Sequence, residues 1–211
     1  DDNGVSDSGS VYIFTRSSAD GTFTQQAKLH ANDAAVGDKF GVSVSLYGDT
    51  ALIGARQDDD NGVSDSGSVY IFTRSSVDGT FTQQSKIYAS DAAVGDNFGV
   101  SVSLDGNTAL IGAYYDDNNG SNSGSVYVFK APPPSPPPPP PLPLFLTSLV
   151  ADATQPKLYA SDAAADDKFG MCVSLNEDTA LIGSVLDDDN GVSNSGSVYI
   201  FTRSSADGTF T

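Results

Sequence analysis

Apolar and small polar residues alternate in the stretch Phe40–Leu46, where three apolar side chains are separated by Ser43 and Ser45. A period of two predicts a β-strand with one apolar and one small polar face. The stretches Thr50–Ala55 and Val69–Phe72 follow as short runs that are apolar almost throughout. Such runs indicate strands that are covered on both faces.

A fourth run, Phe81–Ile87, is rich in Thr, Gln, Ser and Lys. Polar side chains suit an outer edge strand, which must not pair with another molecule. Tight turns separate the runs, with Gly and Asp at Tyr47-Gly48-Asp49 and again at Asp78-Gly79. Because no segment has a sustained helical period, the sequence predicts units of four antiparallel strands.

This four-strand unit is repeated along the chain. Its Phe-Gly start recurs at Phe40, Phe98 and Phe169, at intervals of 58 and 71 residues. A period in the fifties that contains four short strands is the size of one propeller blade. The sequence therefore predicts an all-β fold of about three and a half β-propeller blades, interpreted as a fragment of a larger propeller. The predicted segments are a partial blade at 1–39 (strands three and four and the inter-blade loop), a blade at 40–97, a blade at 98–168 and a partial blade at 169–211.

A proline-rich insertion at 131–153 interrupts the third of these segments, and all eleven prolines lie between Pro132 and Pro156. Such a run lacks backbone donors and favours an extended polyproline II conformation. It could dock on an aromatic-lined partner or form a glycosylated stalk. The interpretation that we prefer is a tolerated surface insertion.

The chain is strongly acidic, with a formal net charge of -17 from 27 Asp and Glu against 10 Lys and Arg. This charge argues against nucleic acid and anionic membranes as partners, since both attract basic surfaces. Successive turns of an antiparallel sheet lie at alternate ends of the sheet. The Asp-rich loop after the second strand and the inter-blade loop should therefore share one end, and we expect that end to be markedly acidic.

No residue combination typical of catalysis is found in the sequence. The chain has one His and one Cys, and near-identical repeats offer no unique pair of titratable groups. His30 stands where the other units have Tyr88 and Tyr159, and Cys172 replaces Ser43 of the first unit. Both positions are interpreted as structural or surface positions, and no catalytic or cofactor-binding residue is predicted.

The Phe-Gly start, the Gly-Ala end at Gly54-Ala55 and Gly112-Ala113, and the blade-sized period together resemble FG-GAP repeats. The resemblance covers nearly the whole chain except the proline-rich insertion. It is close to the variant that carries Asp-Asn-Gly-x-x-x-Ser-Gly-Ser before the third strand, as at 60–68. FG-GAP repeats form the N-terminal propeller of integrin alpha subunits, commonly with seven blades. The resemblance therefore implies a propeller with an extracellular or cell-surface role in adhesion or binding.

Many FG-GAP blades bind calcium between the first and second strands, but the turn at Tyr47-Gly48-Asp49 is too short for such a loop. A different candidate is the Asp-rich loop after the second strand, because calcium prefers several carboxylate and carbonyl oxygens. The loop does not fit an EF-type arrangement, and an Asp-rich turn is the competing interpretation. The candidate ligands in its three copies are Asp58, Asp59, Asp60, Asn61, Asp65, Asp116, Asp117, Asn119, Asp187, Asp188 and Asn190.

These patterns favour a non-catalytic extracellular binding or adhesion module, with an acidic loop face for a protein, glycan or cation partner. One alternative is a propeller-scaffold enzyme, a hydrolase or lyase, whose active site lies outside this fragment. Another alternative is a purely structural surface array. Because an open half-ring leaves apolar blade faces uncovered, we expect the fragment to be marginally stable or oligomeric.

Overall fold

The computed structural model describes residues 4–59, 62–131, 156–188 and 192–211, and these residues form thirteen β-strands and no α-helix. The proline-rich insertion lies outside the described residues except for Ala131. The strands are β1 (Val11–Arg16), β2 (Phe23–Leu29), β3 (Phe40–Tyr47), β4 (Thr50–Ala55), β5 (Ser68–Arg74), β6 (Phe81–Ile87), β7 (Ser101–Asp105), β8 (Thr108–Ala113), β9 (Ser125–Lys130), β10 (Lys157–Leu158), β11 (Phe169–Asn176), β12 (Thr179–Ser184) and β13 (Ser197–Thr202).

The strands form four antiparallel sheets, each in chain order from the inner to the outer strand. Sheet I contains β1 and β2, sheet II contains β3 to β6, sheet III contains β7 to β10, and sheet IV contains β11 to β13. Four-stranded antiparallel sheets that pack face to face are propeller blades, so the predicted all-β fold class is confirmed. The outer strand of sheet III is shortened to the two residues of β10, next to the insertion.

The central strands of sheet II are buried because both faces of the sheet are covered. Leu52, Val69 and Ile71 lie on one face and pack against sheet III. Tyr70 and Phe72 lie on the other face, where they pack against Phe40 and sheet I. Both faces of β4 and β5 carry apolar side chains because each face packs against a neighbouring sheet.

Small residues of the inner strands let neighbouring sheets approach each other. The Ser43 hydroxyl donates a hydrogen bond of 2.7 Å to the Gly99 carbonyl oxygen of sheet III, and Ser101 donates in the same way to Gly170 of sheet IV. A Cβ atom at Gly54 would lie 2.0 Å from that Gly99 oxygen, which no side chain tolerates. The small polar face predicted for the inner strands therefore contacts the following blade, whereas the apolar face of β7, with Val102 and Leu104, packs against the preceding sheet II.

The two types of loop meet at the same end of the sheets, as the alternation of turns predicts. The Phe98 and Gly95 amides of an inter-blade loop donate to the Ser66 and Ser64 carbonyl oxygens of the β4–β5 loop. The tight turns lie at the other end, where the Arg74 amide donates to the Asp49 carbonyl oxygen. We call the first of these the loop end and the second the turn end. Among the described residues, the loop end is formed by 30–39, 56–59, 62–67, 88–97, 114–124, 159–168, 185–188 and 192–196.

Candidate binding surface at the loop end

The first aspartate of each Asp-rich loop lies in a buried cluster rather than at the surface. The Asp58 carboxylate is 2.6 Å from the Tyr70 hydroxyl and 2.8 Å from the Lys86 ammonium. Asp33 of the preceding inter-blade loop closes the cluster, at 2.9 Å from each of the same two groups. The Lys86 ammonium thus lies between two carboxylates, where it supplies the positive charge that a bound metal ion would otherwise supply. Tyr70 on β5 and Lys86 on β6 are held in place by their strands.

Sheet III repeats this cluster with equivalent residues. Tyr127 lies 2.8 Å from both Asp91 and Asp116, and the Lys157 ammonium lies 2.6 Å from the same two carboxylates. Lys157 also lies over the Tyr127 ring, 4.4 Å from its centroid. We call this arrangement of two Asp, one Tyr and one Lys the Asp–Tyr–Lys cluster.

Sheet IV carries an incomplete version of the cluster. Tyr199 contacts the carboxylates of Asp162 and Asp187. In the part of the chain that the structure describes, no lysine pairs with these two carboxylates. The lysine of the other two clusters comes from the fourth strand of its sheet, and the described residues of sheet IV form three strands.

The electrostatics of the clusters follow from burial and mutual contact. Burial by itself raises the pKa of Asp33 and Asp91, but the hydrogen bonds from lysine and tyrosine outweigh it and lower both values. The pKa of Lys157 is lowered by burial and raised more strongly by its two carboxylates. Burial and the adjacent carboxylates together raise the pKa of Tyr127 far above its ordinary value. The lysine therefore compensates one of the two carboxylate charges in each complete cluster, and the neutral tyrosine donates a hydrogen bond to the carboxylates.

The second aspartate of each loop has a different structural role. The Asp59 carboxylate accepts a 2.8 Å hydrogen bond from the Asp65 amide, and Asp65 has a positive φ of 51°. Asp117 and Asp188 accept equivalent hydrogen bonds of 2.6 Å. An aspartate side chain that accepts a backbone N–H stabilises such a turn. Asp59, Asp117 and Asp188 remain exposed and carry negative charge at the loop end.

A third set of aspartates is buried just before each inner strand. The Asp96 carboxylate is 4% exposed and accepts a 2.8 Å hydrogen bond from the Ala93 amide. Burial, reinforced by the charge of Asp116, raises the pKa of Asp96 to about 6. The pKa values of Asp38 and Asp167 are raised in the same direction, with burial as the largest cause.

The predicted calcium ligands are thus distributed among different roles. Asp58 and Asp116 pair with lysine, Asp65 accepts a hydrogen bond from the Gln57 amide group, and Asn119 is exposed. Asp60, Asn61 and Asn190 lie outside the described residues. Within those residues, no group of three His, Cys, Asp or Glu is arranged to hold a metal ion. Calcium binding stays a prediction, tested by the melting temperature with and without millimolar calcium.

One group of interacting side chains at the loop end was not predicted from the sequence. The Arg56 guanidinium donates hydrogen bonds of 3.0 Å to the Tyr114 hydroxyl and 3.2 Å to the Asn97 side chain. The ring centroids of Tyr114 and Tyr115 are 4.0 Å apart, and the Lys168 ammonium lies 5.0 Å from the Tyr115 centroid. We call Arg56, Asn97, Tyr114, Tyr115 and Lys168 the cross-blade cluster, because they come from sheets II to IV and the loops between them.

A sequence signal for the cross-blade cluster does exist. The two residues after the second strand are Arg56-Gln57, Tyr114-Tyr115 and Val185-Leu186 in the three units. The flanking sequences Thr-Ala-Leu-Ile-Gly and Asp-Asp are the same in all three. Variation at these two positions within nearly identical repeats therefore marks the cluster.

His30 and Cys172 lie at exposed positions, Cys172 within β11. No helix among the described residues is long and apolar enough to span a membrane.

The family comparison matches most of the chain. A model described as FG-GAP repeat matches residues 23–72, 81–129 and 153–201, together more than half of the chain. Each match begins in a fourth strand or just before it and extends through the third strand of the next sheet. No curated protein sequence matches the chain.

Among solved structures, the crystal structure of Saccharomyces cerevisiae Sqt1 is 10% identical and overlaps 98% of this chain and 68% of that chain. Its TM-score of 0.32 is too low to carry an argument. The three family matches, in register with the observed sheets, show that this chain belongs to the FG-GAP repeat family.

Proposed function

We propose that the chain is a non-catalytic binding or adhesion module that acts outside the cell or at its surface. Its loop end binds a basic segment of a protein partner. The observation that carries this proposal is the cross-blade cluster, in which nearly identical units contribute different side chains to one place. A purely structural array would have no need for this difference.

The charge of the loop end supports a cationic partner. Asp59, Asp117 and Asp188 are exposed there, and their carboxylates accept backbone hydrogen bonds that fix their positions. The net charge of -17 adds a long-range field that attracts a basic partner and accelerates association. Membership in the FG-GAP family supports a binding role, because propeller modules of this kind generally bind rather than catalyse.

The cross-blade cluster provides the selectivity that a uniform acidic surface lacks. The Tyr115 ring is half-buried and has one face toward Lys168. Aromatic faces attract the guanidinium groups of arginine side chains, and polar groups at fixed positions select among such ligands. An arginine of the partner would displace Lys168 from the ring or lie beside it.

The test uses a panel of arginine-rich peptides with acidic peptides of equal length as controls. A triple variant at the loop end, Asp59→Asn with Asp117→Asn and Asp188→Asn, should weaken binding by roughly tenfold or more at low salt. The matched control is Asp20→Asn with Asp78→Asn and Asp207→Asn at the turn end, where each carboxylate also accepts a backbone hydrogen bond.

Both triple variants remove three negative charges, so the variants differ only in the end of the sheets at which the charges are removed. Equal loss of affinity in the two variants would mean nonspecific attraction and would contradict the proposal. A further variant, Tyr115→Ala, should reduce the discrimination between peptides of equal charge and different sequence. Unchanged discrimination would contradict the assigned role of the cross-blade cluster.

A further inference from the structure

One of the three Asp-rich loops is shorter than the other two. The loop at 116–124 has nine residues, whereas those at 58–67 and 187–196 have ten. The sequence Asn-Gly-Val-Ser-Asn-Ser-Gly of the last loop becomes Asn-Gly-Ser-Asn-Ser-Gly in the short one. The absence of one valine brings a serine to the second position after an asparagine, at Asn119-Gly120-Ser121.

An asparagine followed by any residue except proline and then by serine or threonine is the acceptor sequence for N-linked glycosylation. Asn119-Gly120-Ser121 is the only such sequence in the chain. The other two loops have a valine and then a serine after the Asn-Gly pair, so they do not form it. The acceptor sequence is therefore a specific property of the loop of sheet III.

The short loop keeps the backbone contacts of the longer ones. The Gly124 amide donates a 3.0 Å hydrogen bond to the Asp116 carbonyl oxygen, as the equivalent glycine does in the other two loops. The Gly120 amide donates to the Asp117 carbonyl oxygen at 3.2 Å. Because these contacts are kept, the loss of one residue changes the spacing of Asn119 and the serine without changing how the loop is held.

The three asparagine side chains of this loop differ in what they contact. The Asn118 amide group donates a 2.9 Å hydrogen bond to Asp91 of the Asp–Tyr–Lys cluster. The Asn122 amide group donates a 2.9 Å hydrogen bond to Asp166 of the next inter-blade loop. Asn119 is exposed, and its side chain forms no hydrogen bond within the part of the chain that the structure describes. A large group attached to Asn119 would therefore leave the contacts of the other two asparagines intact.

The serine of the acceptor sequence is also at the surface. Ser121 is exposed, and its carbonyl oxygen accepts a 2.8 Å hydrogen bond from the Asp166 amide. An attached glycan is bulky and hydrophilic, so it must lie outside the core. The Asn119 amide group and the Ser121 hydroxyl both meet this condition.

We propose that Asn119 is an N-glycosylation site and that its glycan lies at the loop end beside the cross-blade cluster. The inference rests on the proposed location outside the cell or at its surface, because N-linked glycans belong to secreted and surface proteins. Tyr115 lies just before the loop that carries Asn119, and Lys168 comes from the inter-blade loop that the same loop contacts. A glycan on Asn119 therefore covers one side of the cluster.

The attachment is a group transfer from a lipid-linked oligosaccharide pyrophosphate, which the secretory machinery of the cell supplies. A bond forms between Asn119 Nδ2 and C1 of the first sugar, and the bond between C1 and the pyrophosphate oxygen breaks. The lipid pyrophosphate leaves with the electron pair of the broken bond, and the amide nitrogen gives one proton to a base of the transferase. This chain supplies the acceptor nitrogen and the Ser121 hydroxyl that the transferase recognises.

The test is secretion of the 211-residue chain from a eukaryotic host behind a cleavable signal peptide, together with a reference glycoprotein. The intact mass should show one glycan, which an amidase specific for N-linked glycans should remove. Asn119→Gln and Ser121→Ala should each lose the glycan, whereas Ser121→Thr should keep it. The matched control is Asn122→Gln, which changes a neighbouring asparagine outside the acceptor sequence and should keep the glycan.

Two results would overturn the modification. One is a wild-type chain without a glycan beside a glycosylated reference protein, and the other is a glycan that is retained in Asn119→Gln. The position of the glycan is tested by affinity for the arginine-rich peptides. The glycosylated chain should bind them more weakly than Asn119→Gln from the same host, and equal affinity would contradict a glycan beside the cross-blade cluster.

The proposed function and this inference fail separately. The chain produced in a bacterial host carries no such glycan, so it tests peptide binding alone. Absence of binding there would contradict the proposed partner, while the glycan mass of the secreted chain would still decide whether Asn119 is modified.

Discussion

Strands β5 and β13 have the same sequence from serine to threonine, Ser-Val-Tyr-Ile-Phe-Thr, but very different surroundings. Val69 and Ile71 of β5 are fully buried, whereas Val198 and Ile200 of β13 are two-thirds exposed. The difference arises entirely from the presence of sheet III beside sheet II and the open face of sheet IV. In this chain, burial is therefore a property of neighbouring units, and stability is close to a sum of nearest-neighbour contacts.

The Asp–Tyr–Lys clusters show the same dependence within a sheet. Sheets II and III have a fourth strand that supplies Lys86 or Lys157, and the carboxylates beside Tyr70 and Tyr127 are paired. In sheet IV, Tyr199 contacts the corresponding carboxylates within a three-stranded sheet. A buried carboxylate needs a partner, so each unit of the repeat depends on its outermost strand as well as on its neighbour.

The largest expected effect on stability compares the buried face of sheet II with the exposed face of sheet IV. Ile71→Ala should lower the free energy of unfolding by about 4 kcal/mol, because it removes buried methylenes and leaves a cavity between sheets II and III. Ile200→Ala, the same change at the equivalent exposed site, should lower it by less than about 0.5 kcal/mol. Urea denaturation of both variants measures the difference. Similar losses would show that the exposed face of sheet IV is covered in solution.

A second prediction concerns the charge balance of a complete cluster. Lys86→Met should lower the free energy of unfolding by about 3 kcal/mol, because Asp58 would remain buried beside Asp33 without its cation. Asp33 is half-exposed, which keeps the effect below that of a fully buried pair. The measurement is the urea midpoint at neutral pH.

The double variant Lys86→Met with Asp58→Asn is the control for that change. It removes the buried charge together with its partner, so it should recover a large part of the lost stability. A double variant less stable than Lys86→Met alone would mean that Asp58 acts mainly through its hydrogen bond to Tyr70.

Much of the fold could be predicted from the sequence because the repeat presents the same signals three times. The alternation in Phe40–Leu46 and the apolar runs after it identify the strands, and turn alternation identifies the loop end. The Asp–Tyr–Lys cluster was harder to predict, because the sequence does not distinguish the buried Asp58 from an exposed turn aspartate. The buried role of Asp58 is revealed only by its contact with Lys86, which lies 28 positions later, on β6. The contact between Arg56 and Tyr114 depends in the same way on how two blades pack.

The third prediction tests a buried carboxylate through its pH dependence. The pKa of Asp96 is raised to about 6, so its protonated form is favoured by folding. Its stabilising contribution is complete below pH 4 and is lost as the pH rises through 6. Asp96→Asn should therefore raise the free energy of unfolding by about 2 kcal/mol at pH 7 and change it little at pH 4.

Thermal or urea denaturation at both pH values measures this effect, with Asp78→Asn at the turn end as the exposed control. Asp33 and Asp91 act in the opposite direction, because their lowered pKa values contribute stability that is lost as the pH falls below about 4. A variant that is less stable than the wild type at pH 7 would show that the hydrogen bond from the Ala93 amide outweighs burial.

The smallest expected effect concerns one hydroxyl group between two blades. Ser43→Ala removes the 2.7 Å hydrogen bond to the Gly99 carbonyl oxygen and should lower the free energy of unfolding by about 1 kcal/mol. Cys172→Ala, at the equivalent position of sheet IV, should change it by less than about 0.5 kcal/mol, because the Cys172 side chain is exposed. Equal losses in the two variants would show that the hydrogen bond from Ser43 to Gly99 contributes nothing to the free energy of unfolding.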